Sequence, residues 1–199
     1  MAINGGSIID KLKDIQYSLF HRFRSMLPPS SRKIIESYGN EQIIKIIVNR
    51  IPVNRLFTIL LALLSLGKAE LVKKRLHYDN IFHLRMILIL RNGKQLVFEK
   101  THVPNLESIN SYSGQSFPIN SVPKISLNEF VMNTQKFMGN SFFTYNPSTN
   151  NCQRFVLDSL RANHVPISSS LYKFIWQDAQ KLVSTLPTPI QHLVKKILD

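Results

Sequence analysis

Asn92-Gly93 stands between two runs rich in β-branched and aromatic residues, 82–90 and 95–102, and that dipeptide is the strongest short-range signal for a β-hairpin. A hairpin closes locally, so the pair commits the middle of the chain to antiparallel sheet. With Asn92 and Gly93 as the two turn residues, Arg91 faces Lys94, and counting outward brings His83 directly across from His102 on one face. Side chains at opposed positions come within contact distance. Glu99 then faces Met86 on the other side, and a one-residue bulge would reassign these partners.

The chain has one cysteine, Cys152, and its setting is specific. Asn146-Pro147-Ser148-Thr149-Asn150 is a run of turn formers that gives way to Cys152, Phe155, Val156 and Leu160 on one helical face. A loop enters a helix at this point, with Asn150 or Asn151 placed to cap it. Unpaired N–H groups at a helix start favour negative charge, and so favour the thiolate of a cysteine located there; the same groups can hold an oxyanion. The plainer reading makes Cys152 a small buried hydrophobe.

Around these two features the chain reads as mostly helical. Ile8, Ile9, Leu12, Ile15, Leu19 and Phe23 recur at helical spacing among Lys11, Lys13, Arg22 and Arg24, giving a basic amphipathic helix that Pro28-Pro29 ends. A second helix follows from Ser30 and Ser31 to an exit at Tyr38-Gly39-Asn40. Residues 41–49 are β-branched and apolar, and helix and strand compete there. Residues 56–66 form an apolar helix too short for the roughly twenty residues a bilayer span needs, which favours a core helix over an interfacial segment. The polar stretch 103–123 reads as a long loop or an irregular strand pair. Ser126-Leu127-Asn128-Glu129 is a capping box opening a helix that Gly139-Asn140 ends. Residues 141–145 read as a short extended piece, and 171–183 and 190–198 as two amphipathic helices.

The expected class is α+β: a small antiparallel sheet with the cysteine at the start of a packed helix. It divides into a basic helical region at 1–77, a core at 78–165 and C-terminal helices at 166–199 that pack on the core. A net charge of +13 over 199 residues predicts attraction to polyanions, whether nucleic acid, anionic lipid or an acidic partner. The excess is diffuse and weighted to the first 80 residues, with no arginine-rich tail and no zinc-finger spacing. A single cysteine rules out an internal disulfide and fits a reducing compartment. The N-terminus lacks a charged start followed by an apolar core, so no secretory signal is expected and an intracellular location is, peripheral at membranes or within a viral particle.

A thiol nucleophile needs a base within hydrogen-bond reach, and the base needs a third polar group to fix its tautomer. Cys152, His83 and His102 supply those types, in an order that reverses papain's. A histidine opening a strand, with Asn151-Cys152-Gln153-Arg154-Phe155 opening a later helix, resembles the permuted papain-like superfamily of NlpC type. The resemblance covers roughly residues 78–165. Its members include lecithin:retinol acyltransferase and the H-Ras-like suppressor phospholipase/acyltransferases, whose motif reads Asn-Cys-Glu-His-Phe. The resemblance implies Cys152 as nucleophile, His83 as base and His102 as orienting residue, with Asn151 and Gln153 supporting the cap and oxyanion site. The histidines here are farther apart than in those relatives, and Glu99 replaces His102 if the register slips.

The implied chemistry is attack on an ester, thioester or amide carbonyl through an acyl-enzyme, needing no cofactor and no metal. Lipid substrates are favoured by the nearer relatives and by the basic, apolar helices; a peptidase or amidase is the alternative. The reading of another class is a non-catalytic basic protein, of a size that suits a viral structural component, binding membrane or nucleic acid.

Overall fold

In the computed structural model, Gln42–Pro52, where helix and strand signals compete, is a β-strand, β1. The structure describes residues 25–52, 82–119, 121–146 and 149–176. The amphipathic stretch 8–23, the apolar stretch 56–66, the stretch 190–198 and the part of 171–183 beyond residue 176 lie outside the described residues. Strand wins at β1 because its β-branched side chains find partners on both sides. It pairs antiparallel with β2 (Phe82–Leu90) along one edge and with β5 (Gln115–Ile119) along the other, while β6 (Ile125–Ser126) joins its first residues. With β3 (Gln95–Lys100) and β4 (Pro104–Ile109), the six strands form one antiparallel sheet in the order β4-β3-β2-β1-β5. The expected division at residue 77 therefore does not separate the sheet from what precedes it, because β1 lies at its centre.

Alternation along the strands assigns the faces. Ile46 and Val48 of β1, Leu84, Met86, Leu88 and Leu90 of β2, and Leu96 and Phe98 of β3 enter the main core. Ile47, Ile87 and Val97 form a smaller cluster on the opposite face. The main core is completed by α1 (Pro29–Tyr38), α2 (Leu127–Met138), α3 (Cys152–Ala162) and α4 (Ser169–Ile175). Ser31 does not cap α1. Its hydroxyl, fully buried, donates to Asn105 Oδ1 at 2.9 Å and accepts from the Leu106 backbone N–H at 2.8 Å, tying α1 to the edge strand β4.

The capping box forms as written: Glu129 N–H donates to Ser126 Oγ, and the Ser126 N–H donates to Glu129 Oε2 at 2.8 Å. Ser126→Ala removes the side-chain half of the box and is expected to cost about 1 kcal/mol, read as a lower urea midpoint at unchanged slope. Past α2 the chain departs from expectation. Residues 139–142 form a 3-10 turn in place of an extended piece. Gly139 takes φ +56 and Phe142 is fully buried, its ring set against Phe143 and Phe155. Burying that one aromatic ring outweighs the extended preference of its neighbours.

Candidate active site

Cys152 is the first residue of α3, and Asn151 is its N-cap. Asn151 is extended, and its side-chain oxygen accepts from the backbone N–H groups of Gln153 and Arg154, each at 3.1 Å. Cys152 is buried among core residues with 8% of its surface exposed, and Phe155, one turn on, packs edge-on against Phe98 with ring centroids 4.8 Å apart. The residues before the cap are folded back on themselves: Asn146 and Asn150 exchange backbone hydrogen bonds, at 3.1 and 2.9 Å.

The hairpin forms, but its register differs by one residue from that of a two-residue turn. Leu90 pairs with Lys94, with its N–H donating to the Lys94 carbonyl at 2.9 Å, and the loop comprises Arg91, Asn92 and Gly93. Gly93, at φ +84, takes the left-handed position that closes a three-residue loop with a bulge. The shift propagates along both strands. Arg85, not Met86, now faces Glu99, and β3 ends at Lys100, short of His102.

His83 and Glu99 consequently share a face. The His83 Nε2 lies 2.9 Å from Glu99 Oε2, with 21% and 17% of the two side chains exposed. Cys152 lies near enough to His83 to act on its titration. With Nε2 committed to Glu99, Nδ1 is the nitrogen left to serve the sulfur. Burial alone would disfavour the imidazolium, but hydrogen bonds and charge from Cys152 and Glu99 outweigh it and raise His83 to about 9. For Glu99, burial opposes the charged form, and its bond to His83 and the positive charges of His83 and Arg85 lower its pKa below the ordinary carboxylate value. A thiol, an imidazole and a carboxylate thus stand in series, an arrangement in which an imidazole can take up and return a proton beside a thiol.

His102 is not the third member. It is exposed, its ring set edge-on to Tyr145 at 6.1 Å between centroids. Gln153 is buried, and its backbone N–H is taken up by the Asn151 cap.

Three features of the site had no distinct signal in the sequence. Tyr145 is half-buried, and burial followed by the charge on Cys152 keeps its phenol protonated beyond the ordinary range. Arg85 donates from Nε to Asn49 Oδ1 at 2.8 Å, and the fully buried Asn49 amide donates in turn to Ser113 O, Gln115 O and Ser116 Oγ. Lys100 is fully buried beneath the loop that carries Cys152. Among the described residues no helix is long and apolar enough to cross a membrane. Comparison of the chain with family models, with curated proteins and with solved structures found no match in any of the three.

Proposed function

We propose that the protein is a cysteine-dependent acyl hydrolase or acyltransferase, in which Cys152 is the nucleophile, His83 the general acid and base, and Glu99 the residue that orients His83. The observation that carries this reading is the series Cys152–His83–Glu99: a buried thiol at a helix start, beside an imidazole whose pKa it raises and whose Nε2 is held by a carboxylate at 2.9 Å. The plainer reading, a cysteine kept for packing, gives no reason for that polar series to converge on the sulfur. The order of parts, a histidine strand, a neighbouring strand with the third residue and then a cysteine helix packed on the sheet, supports a permuted papain-like core.

In this mechanism the Cys152 thiolate attacks the carbonyl carbon. The oxyanion is held by the backbone N–H of Cys152 at the start of α3, those of Gln153 and Arg154 being taken by the Asn151 cap. Collapse breaks the bond to the leaving oxygen or nitrogen, which takes the proton from His83, and a thioester remains. Water or an acceptor alcohol or amine then gives its proton to His83 and attacks the thioester, releasing acyl product and restoring the thiolate–imidazolium pair. Ester substrates of lipid type are favoured by the basic amphipathic stretch 8–23 and the apolar stretch 56–66, which suit approach to an anionic membrane surface.

Turnover requires the proton on His83. A group raised to about 9 holds its proton through neutrality and loses it as pH rises through that value, so kcat/KM for hydrolysis of p-nitrophenyl butyrate is expected to be level near neutrality and to fall through about pH 9. Parallel assays with phospholipid vesicles and an N-acyl peptide separate lipid from peptide preference. Hydrolysis that persists in Cys152→Ser at the wild-type rate would sink the proposal.

A further inference from the structure

We propose that Lys100 is a positioning residue for the nucleophile: from the end of β3 it clamps the loop that delivers Cys152, while its neighbour Glu99 orients the base from the other face of the same strand. The inference rests on the catalytic reading above.

A fully buried lysine is rare, because removing an ammonium from water is costly unless strong partners replace the lost hydration. Lys100 is 0% exposed, and its hydrogen bonds run to one segment. Nζ donates to the Ser141 carbonyl at 2.5 Å and to Asn150 Oδ1 at 3.0 Å. Among the described residues no carboxylate lies within ion-pair distance of it. The Asn150 amide then donates to the same Ser141 carbonyl at 2.8 Å, to Thr144 O at 2.7 Å and to Thr144 Oγ1 at 3.2 Å. Lysine and asparagine thus tie together two points of the chain, Ser141 within the 3-10 turn and Asn150 two residues before the nucleophile. The ammonium also sits 6.0 Å from the centre of the Phe155 ring, on the first turn of α3. Burial lowers its pKa to about 8, with the charge of Asp158 acting in the opposite sense, so at neutral pH it is chiefly a cation.

Strand alternation explains why adjacent residues serve the two partners. Successive side chains leave β3 on opposite faces, so Glu99 reaches His83 and Lys100 reaches the loop. The last two residues of one strand therefore fix the base and the nucleophile relative to each other. A loop free to drift by even an ångström would lengthen the Cys152–His83 contact, and misplacement on that scale costs on the order of 100-fold in rate.

Lys100→Met keeps the length of the stem and removes the donors, and replacing a buried charge by an apolar side chain is frequently tolerated by the fold. The expected result is a kcat for p-nitrophenyl butyrate lower by about 100-fold, with KM within about 3-fold and a thermal midpoint close to wild type. Asn150→Ala opens the same clamp from the half-buried side, so it carries the test if Lys100→Met does not fold. Where both fold, the double variant should be no slower than about 3-fold below the weaker single variant, because the two side chains act as one unit. Wild-type kcat in Lys100→Met, or losses that multiply in the double variant, would overturn the assignment. If the wild-type protein itself hydrolyses no ester and its thiol reactivity is independent of His83, the catalytic reading fails separately. The clamp is then judged by amide hydrogen exchange over residues 141–151: faster exchange in Lys100→Met at unchanged global stability supports it, and unchanged exchange rejects it.

Discussion

His83→Ala is expected to lower kcat/KM for an activated ester by a factor on the order of 10³–10⁴ while the protein stays folded. Two functions disappear together in this variant: the positive partner that favours the Cys152 thiolate, and the proton donor that the leaving group needs. The fold is expected to survive because His83 sits at the start of β2 with a fifth of its side chain exposed and belongs to neither apolar cluster. Thiol chemistry provides a reading independent of any substrate. Iodoacetamide at pH 7 should alkylate the wild-type protein at Cys152, its one cysteine, at least about 10-fold faster than His83→Ala, since the thiolate is the reacting form. Cys152→Ser should take up no label and show no hydrolysis. A Cys152 that is inert in the native protein and reacts only after unfolding would return it to the role of a packed core residue, which its 8% exposure also permits, and would redirect attention to the basic surface and its polyanion binding.

What the sequence made legible was local. The Ser126–Glu129 box, the Asn151 cap and the change from turn residues to a helical apolar face at Cys152 are each decided within a few positions, and each stands in the structure. The hairpin was equally legible in kind, yet its register was not, because Asn-Gly suits both a two-residue turn and a three-residue loop with glycine at the left-handed position. One residue of difference changed the third member of the series from His102 to Glu99. Residues 42–52 show another limit: a β-branched run does not announce whether it will be a strand until partners on both edges are known, and those partners, 82–90 and 115–119, are distant in sequence. Lys100 was invisible for a similar reason. Its meaning depends on Ser141 and Asn150, some forty and fifty residues away, which no short-range pattern connects to it.

Glu99 and His102 can be separated by a pair of substitutions with opposite expected outcomes. Glu99→Gln keeps the shape and replaces a carboxylate by a neutral amide, so His83 loses the charge that offsets its burial, and an acceptor-only group on Nε2 gives way to an amide that can accept or donate and so no longer enforces one tautomer. The expected loss in kcat/KM is on the order of 10²-fold, an orienting residue being worth less than the base it serves or as much, depending on how far the wrong tautomer takes over. The pH profile gives the second signature. Glu99 raises the His83 pKa; removing its charge lowers it, so the alkaline fall in activity should move from about pH 9 toward neutrality. A purely structural lesion would lower the plateau and leave the limb in place. His102→Ala, at an exposed position beyond the end of β3, should keep both plateau and limb within about 2-fold and a few tenths of a pH unit of wild type, as surface substitutions away from a network do. The reverse pattern, with His102→Ala inactive and Glu99→Gln unaffected, would mean that the working register of the hairpin in solution is that of a two-residue Asn92-Gly93 turn.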